Sequence, residues 1–247
     1  MRFEIGLIAN RGGLWAAVLI ALFAGCRRDD SVIVRGPGEG GIVLATTPWN
    51  APYSYRDKET GEIVGSDVEL AKAAAKRLGR ELKVLEMPFS EMMPRVKSGE
   101  VDFAAASITI TEGRRRDVDF TESYASDGSL FLYPAGNPVP TIPRCFLLRI
   151  GTLSATVNHF YLCYHDLNPI CYRSYDDAVR DLADGKLDCV FYDGEPVRCT
   201  VAASNGKFKA SPLETRENYG IAVRKDYPEL LAALNEAIRE RKAAECK

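Results

Sequence analysis

The chain has 247 residues, of which 46% are hydrophobic and 27% charged, with a formal net charge of −2. That length can bury a large core as one domain or two modest ones. The near-neutral balance creates no global field favouring nucleic acid or anionic lipid, and no nucleic-acid partner is expected.

The N-terminus reads as an export signal rather than as part of a fold. Arg2 and Arg11 supply a basic region, and Leu14 to Ala24 is an uninterrupted apolar run. The run is too short to span a bilayer comfortably and matches the hydrophobic segment of a signal peptide, placed at residues 1–25. It ends in Phe23-Ala24-Gly25-Cys26. Small residues before a cysteine resemble the lipobox of bacterial lipoproteins, although Phe23 stands where leucine is usual. Cys26 is therefore the expected lipidated residue and membrane anchor. Residues 26–41 are charged, then rich in Gly and Pro, and read as a tether. Export implies an oxidising compartment for Cys145, Cys163, Cys171, Cys189, Cys199 and Cys246. Many pairings are open to six cysteines. Cys189, in an apolar strand, reads as a small buried thiol, and Cys163 with Cys171 is the bridge read here.

The fold begins at Ile42-Val43-Leu44-Ala45, a short buried strand. Asp67 to Leu78 places Val68, Ala71, Ala75 and Leu78 on one helical face, with Ser66 or Asp67 available to cap its start and Gly79 its end. Glu81 to Phe89 reads as a strand. Ser90 can cap a short helix carrying Met93 and Val96 that ends at Gly99, and Val101 to Ser107 is a small-residue apolar strand. Tyr219 to Val223 is a later strand and Pro228 to Arg241 an amphipathic helix with Leu230, Leu231, Leu234 and Ile238 inward. Helices alternating with buried strands predict an open α/β sheet.

One module occurs twice. Arg95 to Ser107 (RVKSGEVDFAAAS) aligns without gaps with Asp181 to Asp193 (DLADGKLDCVFYD). Each is a helix end, a glycine cap, a short turn and a buried strand closing on a polar residue. Two similar α/β lobes follow. Ligands of open α/β sheets bind beyond the carboxyl ends of strands, so Ser107 and Asp193 should face each other across a cleft.

Ser107-Ile-Thr-Ile-Thr-Glu-Gly-Arg114 gathers hydroxyls, backbone donors and one arginine without a nucleophile or base. Arg114 offers a planar fork that matches a carboxylate. Thr109 and Ser107 add hydroxyls, and Asp193 opposes them with a negative charge suited to an ammonium. A carboxylate grip facing an ammonium grip describes an α-amino acid. His159 and Cys163 share a helical face, but no second close pair completes a tetrahedral metal site. Neither metal nor cofactor is expected.

At these residues the chain resembles the bacterial extracellular solute-binding proteins of the polar amino-acid family, the receptor components of ABC importers. The resemblance rests on Gly65-Ser-Asp-Val-Glu-Leu-Ala71, Lys76-Arg-Leu-Gly79, Lys97-Ser-Gly-Glu-Val-Asp102, Ser107 to Arg114 and Val118-Asp-Phe-Thr-Glu-Ser-Tyr124. It implies a two-lobed α/β fold, two open sheets joined by two crossover strands. The first lobe would take 42–124, a crossover 125–128, the second lobe 129–216, and a return crossover with the closing helix 217–247. It further implies a monomeric receptor that delivers an amino acid to an ABC transporter permease. Carried over, Arg114, Thr109 and Ser107 hold the carboxylate end and Asp193 the ammonium, with Glu195 in reserve. Thr156 and Val157 lie where the family donates backbone N–H groups from a Gly-Thr-Thr segment, which here reads Ala155-Thr156-Val157. Ser66 and Asn50 replace the family's two ligand-stacking aromatics, leaving Trp49, Tyr53 or Tyr55 to close a wall. Residues 158–177 have features of arginine-binding members. The alternative of another class is an enzyme resembling the periplasmic dehydratases of this fold, with Glu122, Asp193 or Glu195 moving a proton on a cyclic carboxylate.

Overall fold

The computed structural model describes residues 36–37 and 39–245. The expected signal peptide, Cys26, most of the expected tether and Cys246 lie outside the described residues. Among the described residues no helix is long and apolar enough to cross a membrane.

Two five-stranded sheets form two lobes. In the first, β1 (Ile42–Thr46) is buried along its whole length. It pairs in parallel with β5 (Leu82–Glu86) and β6 (Phe103–Ala104). β15 (Ala222–Val223) is antiparallel to β6 and to β7 (Asp119–Phe120). α1 (Ser66–Arg77) and α7 (Pro228–Glu245) cover one face, burying Val68, Ala71 and Ala74 with Leu230, Leu234 and Ile238. α2 (Phe89–Ser98) covers the other, with Met92 and Val96 inward. α3 (Glu112–Arg115) is a single turn. A small sheet of β2 (Trp49–Asn50), β3 (Ser54–Arg56) and β4 (Ile63–Val64) completes this lobe.

The second sheet repeats the order. β10 (Ile150–Leu153) pairs in parallel with β11 (Ile170–Tyr172) and β12 (Cys189–Asp193), and β9 (Ser129–Pro134) runs antiparallel between β12 and β13 (Phe208–Ala210). α5 (Tyr175–Ala183) and α6 (Gly194–Ala203) lie with one core cluster. A 3₁₀ turn at Ile142–Leu147 and α4 (Val157–Tyr164) lie with the other. The chain crosses between lobes at β8 (Ala125–Asp127) and returns at β14 (Glu217–Tyr219), and these two strands pair antiparallel.

The repeated sequence module has a shared physical basis. The Asp102 carboxylate accepts the Val43 N–H at 2.8 Å, and Asp188, its counterpart, accepts the Arg149 N–H at 2.7 Å. Asp102 pins the start of β6 to β1, and Asp188 the start of β12 to β10. Gly99 and Gly185, at φ 77 and 72, end the preceding helices in the left-handed conformation that glycine adopts without strain.

Several local expectations need correction. α1 is capped by Gly65, not Ser66 or Asp67, and that cap makes no side-chain hydrogen bond. The α2 cap is Pro88, so Ser90 lies inside the helix. β5 stops at Glu86 and β6 is only Phe103–Ala104, although Met87 and Ala105 N–H groups still bond the Thr46 and Ala45 carbonyls beyond them. α7 continues to Glu245. Cys163 and Cys171 are exposed free thiols.

Candidate functional site

The segment from Ser107 to Arg114 is sewn to the return crossover by backbone bonds. Ile110 N–H donates to the Asn218 carbonyl and Gly220 N–H to the Ile108 carbonyl. Thr111 caps α3, accepting the Arg114 N–H at 3.2 Å. That cap sets the spacing between Thr109 and Arg114 and lets the Arg114 guanidinium fold back to donate to the Thr109 carbonyl at 2.7 Å. The guanidinium also lies over the Phe89 ring, 5.2 Å from its centre. Burial pulls the Arg114 pKa down, while the charges of Glu217 and Asp193 oppose that pull.

Ser107 sits at φ 45, a left-handed conformation uncommon outside glycine. It is the centre of a bonded chain. Asn50 Nδ2 donates to Ser107 Oγ at 2.8 Å, and Ser107 Oγ donates to Asp193 Oδ2 at 2.6 Å. Asn158 Nδ2 donates to Asp193 Oδ1 at 2.9 Å, and Ser129 Oγ bonds Asn158 Oδ1. Glu217 takes Ser129 Oγ at 2.8 Å, Thr215 Oγ1 at 2.7 Å and Thr109 Oγ1 at 2.5 Å. Asp193 is thus placed opposite Ser107, as the repeated strand ends predict. It is the residue preceding α6, yet its carboxylate caps nothing there and points to the cleft. Burial raises its pKa to about 7, with the Glu217 charge adding to the effect. Two protein donors leave part of its acceptor capacity open.

The remaining sequence-predicted residues divide. Asn50 is buried against Ser107 and Tyr192 rather than forming a stacking wall. Ser66 lies in the first turn of α1, its N–H directed to the Pro52 carbonyl. Thr156 caps α4; its hydroxyl accepts the His159 N–H and donates to the Leu153 carbonyl. Val157 is the first residue of that helix, and Ala155 before it holds φ 61, the backbone glycine would supply. Trp49 packs against the second-lobe core. It borders a cavity of about 670 Å³ lined by Glu86 and Met87 on one side and Arg173, Asp176 and Arg180 on the other. Arg173 reaches across to Glu91 at 3.0 Å. Tyr53 is buried edge-on to Tyr124 and Tyr219, and Tyr55 is exposed.

Of the acids considered for proton transfer, Glu122 is exposed and held by Arg239 outside the cleft. Glu195 pairs with Arg198, which also grips Asp127. Sequence reasoning missed Glu217, Asn158 and Phe89. Glu217 lies in a polar stretch with no motif, and Asn158 reads as an ordinary helix residue.

The fold and site have close relatives. Residues 42–245 match the model of the bacterial extracellular solute-binding proteins, family 3. The histidine-binding periplasmic protein of Escherichia coli (strain K12) is 29% identical over 221 residues, 82% of each chain. The lysine/arginine/ornithine-binding periplasmic protein of the same organism is 27% identical over 219 residues, 81% of each. The arginine-bound form of a truncated ArgBP from T. maritima superposes with a TM-score of 0.78 at 30% identity, over 82% of this chain and 97% of that one. With a family model spanning nearly all the described residues, the chain belongs to the bacterial extracellular solute-binding proteins, family 3.

Proposed function

We propose that this protein is an extracytoplasmic receptor that captures a polar amino acid between its lobes and presents it to an ABC transporter permease. Arg114 holds the α-carboxylate, aided by Thr109 and Ser107 and by backbone N–H groups at Thr156 and Val157. Asp193 holds the α-ammonium, with Glu217 reinforcing the negative side. The side chain extends toward Trp49 and the adjoining cavity, past Asn50 and Ser66. Relatives named for histidine and for lysine, arginine and ornithine support a basic ligand. The chain acts as a monomer, binds without turnover, and is anchored through a lipid on Cys26 after removal of residues 1–25.

The observation that carries this reading is the opposition of one cation, Arg114, to two acids, Asp193 and Glu217, at the junction of the lobes. Charge-assisted hydrogen bonds contribute about 1.5–3 kcal/mol each. Three or four give about 5–12 kcal/mol gross, so contacts to the ligand side chain supply the rest of what offsets immobilisation and leaves the roughly 8 kcal/mol of a micromolar complex. Titration calorimetry of the mature protein against the twenty amino acids tests it. At least one should bind in the micromolar range, and Arg114→Ala should lose at least about a hundredfold in affinity while still unfolding cooperatively. Absence of binding to all twenty, or conversion of the bound ligand, overturns the reading. Labelled palmitate should enter the wild type and not Cys26→Ala.

A further inference from the structure

Two of the second lobe's five cysteines are buried, and the ligand site does not use them. Cys145 lies in the 3₁₀ turn before β10, and Cys189 opens β12. They are 1% and 0% exposed and belong to one core cluster with Phe131, Ile150 and Phe191. Backbone bonds bring the elements that carry them side by side. The Leu148 N–H bonds the Cys145 carbonyl, which folds the turn back. The next residue, Arg149, is clamped to Asp188 by its side chain and backbone, and its carbonyl accepts the Cys189 N–H. The two thiols are close enough that each is the largest influence on the other's ionisation. All five described cysteines are free thiols in the structure; Cys145 and Cys189 are buried, whereas Cys163, Cys171 and Cys199 are exposed.

We propose that Cys145 and Cys189 are joined by an intramolecular disulfide in the exported protein. Each thiol gives up its proton, the pair gives up two electrons, and one S–S bond forms. The oxidant is the disulfide of a thiol oxidoreductase, which accepts both electrons and both protons and leaves as a dithiol. Burial accounts for persistence, since a reductant reaches the bond only when the lobe opens. The bridge ties the 3₁₀ turn to the amino end of β12, the strand whose carboxyl end carries Asp193. It rests on export, not on the ligand assigned above.

The test uses the full chain, exported and purified without reductant, then unfolded in concentrated guanidinium with an alkylating agent and cut with trypsin. Cys145 falls on the peptide 145–149 and Cys189 on 187–198, whereas Cys163 and Cys171 share 150–173 and Cys199 lies on 199–207. The expected product is the cross-linked pair of 145–149 with 187–198. Alkylation of both cysteines, or a link from either to another peptide, overturns the proposal. Refolding reduced protein with oxidised glutathione should give the same product even if export fails, which separates the pairing from the compartment. Cys145→Ala, Cys189→Ala and the double variant should each lower the urea midpoint by one common amount. A reductant should bring the wild type down to that value. Fully additive losses, or no effect of reductant on the wild type, also overturn it.

Discussion

Ser107 Oγ donates a 2.6 Å hydrogen bond to Asp193 Oδ2, joining the strand ends of two repeated modules across the cleft. The bond is buried and its acceptor is an acid. It therefore ties the contact between the lobes to the position of Asp193, the residue proposed to hold the ligand ammonium. A buried hydrogen bond to a charged group contributes about 1.5–3 kcal/mol. Ser107→Ala should weaken amino-acid binding by roughly ten- to a hundredfold. The same hydroxyl also accepts Asn50 Nδ2 within the first lobe, so thermal stability should fall together with affinity. Calorimetry and melting curves on the same variant measure the two effects.

Asp193 and Asp67 link stability and binding to pH with opposite signs. Burial raises Asp193 to about 7 and Asp67 to about 6, from a usual 3.8. The folded state then binds more protons than the unfolded one between about pH 4 and 7, so stability falls as pH rises through that window and levels off above it. For Asp67, fully buried in α1, the difference corresponds to about 3 kcal/mol. Acids held low by partners, such as Asp188 beside Arg149, titrate below this window. The urea midpoint should be higher at pH 5 than at pH 8, and Asp67→Asn should flatten the dependence. Ligand affinity should run the other way, since only ionised Asp193 attracts an ammonium. It should fall as pH drops below 7, with proton release on binding measurable in buffers of different ionisation enthalpy.

The crossover imposes a second constraint. A Cβ on Gly128 meets the Thr215 carbonyl oxygen at 2.0 Å, a contact with backbone that no rotamer relieves. Gly128 lies between β8 and β9, where Gly194 N–H also bonds its carbonyl. Gly128→Ala should separate the two crossovers and cost at least about 2 kcal/mol of stability, in the range of severe overpacking. Gly61→Ala, where a Cβ meets nothing within 4 Å, is the control for added bulk. Its φ of 73 limits that control to backbone strain alone. A wild-type urea midpoint in Gly128→Ala would contradict the close approach.

What the sequence disclosed follows from the range of the interactions involved. β1, α1 and α7 were legible because apolar periodicity is local. The two-lobe plan was legible because the module ending at Ser107 recurs ending at Asp193, and the acids Asp102 and Asp188 within it make the same strand-pinning bond. Caps were misread at Gly65 and Pro88, where backbone geometry replaces a side-chain acceptor. Glu217 and Asn158 were not legible, since their importance comes from partners 108 and 35 residues away. The proximity of Cys145 to Cys189 depends on how the Arg149–Asp188 clamp folds a 3₁₀ turn onto β12, which spacing does not reveal.

Ala155 offers a test of how the second-lobe segment was adapted. It stands at φ 61, immediately before the Thr156 cap of α4, and its side chain is exposed. A left-handed backbone costs an L-residue about 1–2 kcal/mol, and glycine removes that cost. Glycine also enlarges the unfolded ensemble, which offsets about 0.4–1 kcal/mol. Ala155→Gly should therefore stabilise the protein by up to about 1 kcal/mol, against the usual direction of an alanine-to-glycine change. Ala178→Gly, buried within α5, should instead destabilise it by at least about 1 kcal/mol. Because Ala155 precedes the N–H groups proposed to meet the ligand carboxylate, relaxing it also changes their freedom. If the alanine holds those donors in place, the stabilised variant binds its amino acid more weakly. If the donors are fixed by Thr156 through its bonds to Leu153 and His159, affinity is unchanged. The Thr156 bonds favour the second result, and paired urea and calorimetric titrations of Ala155→Gly decide it.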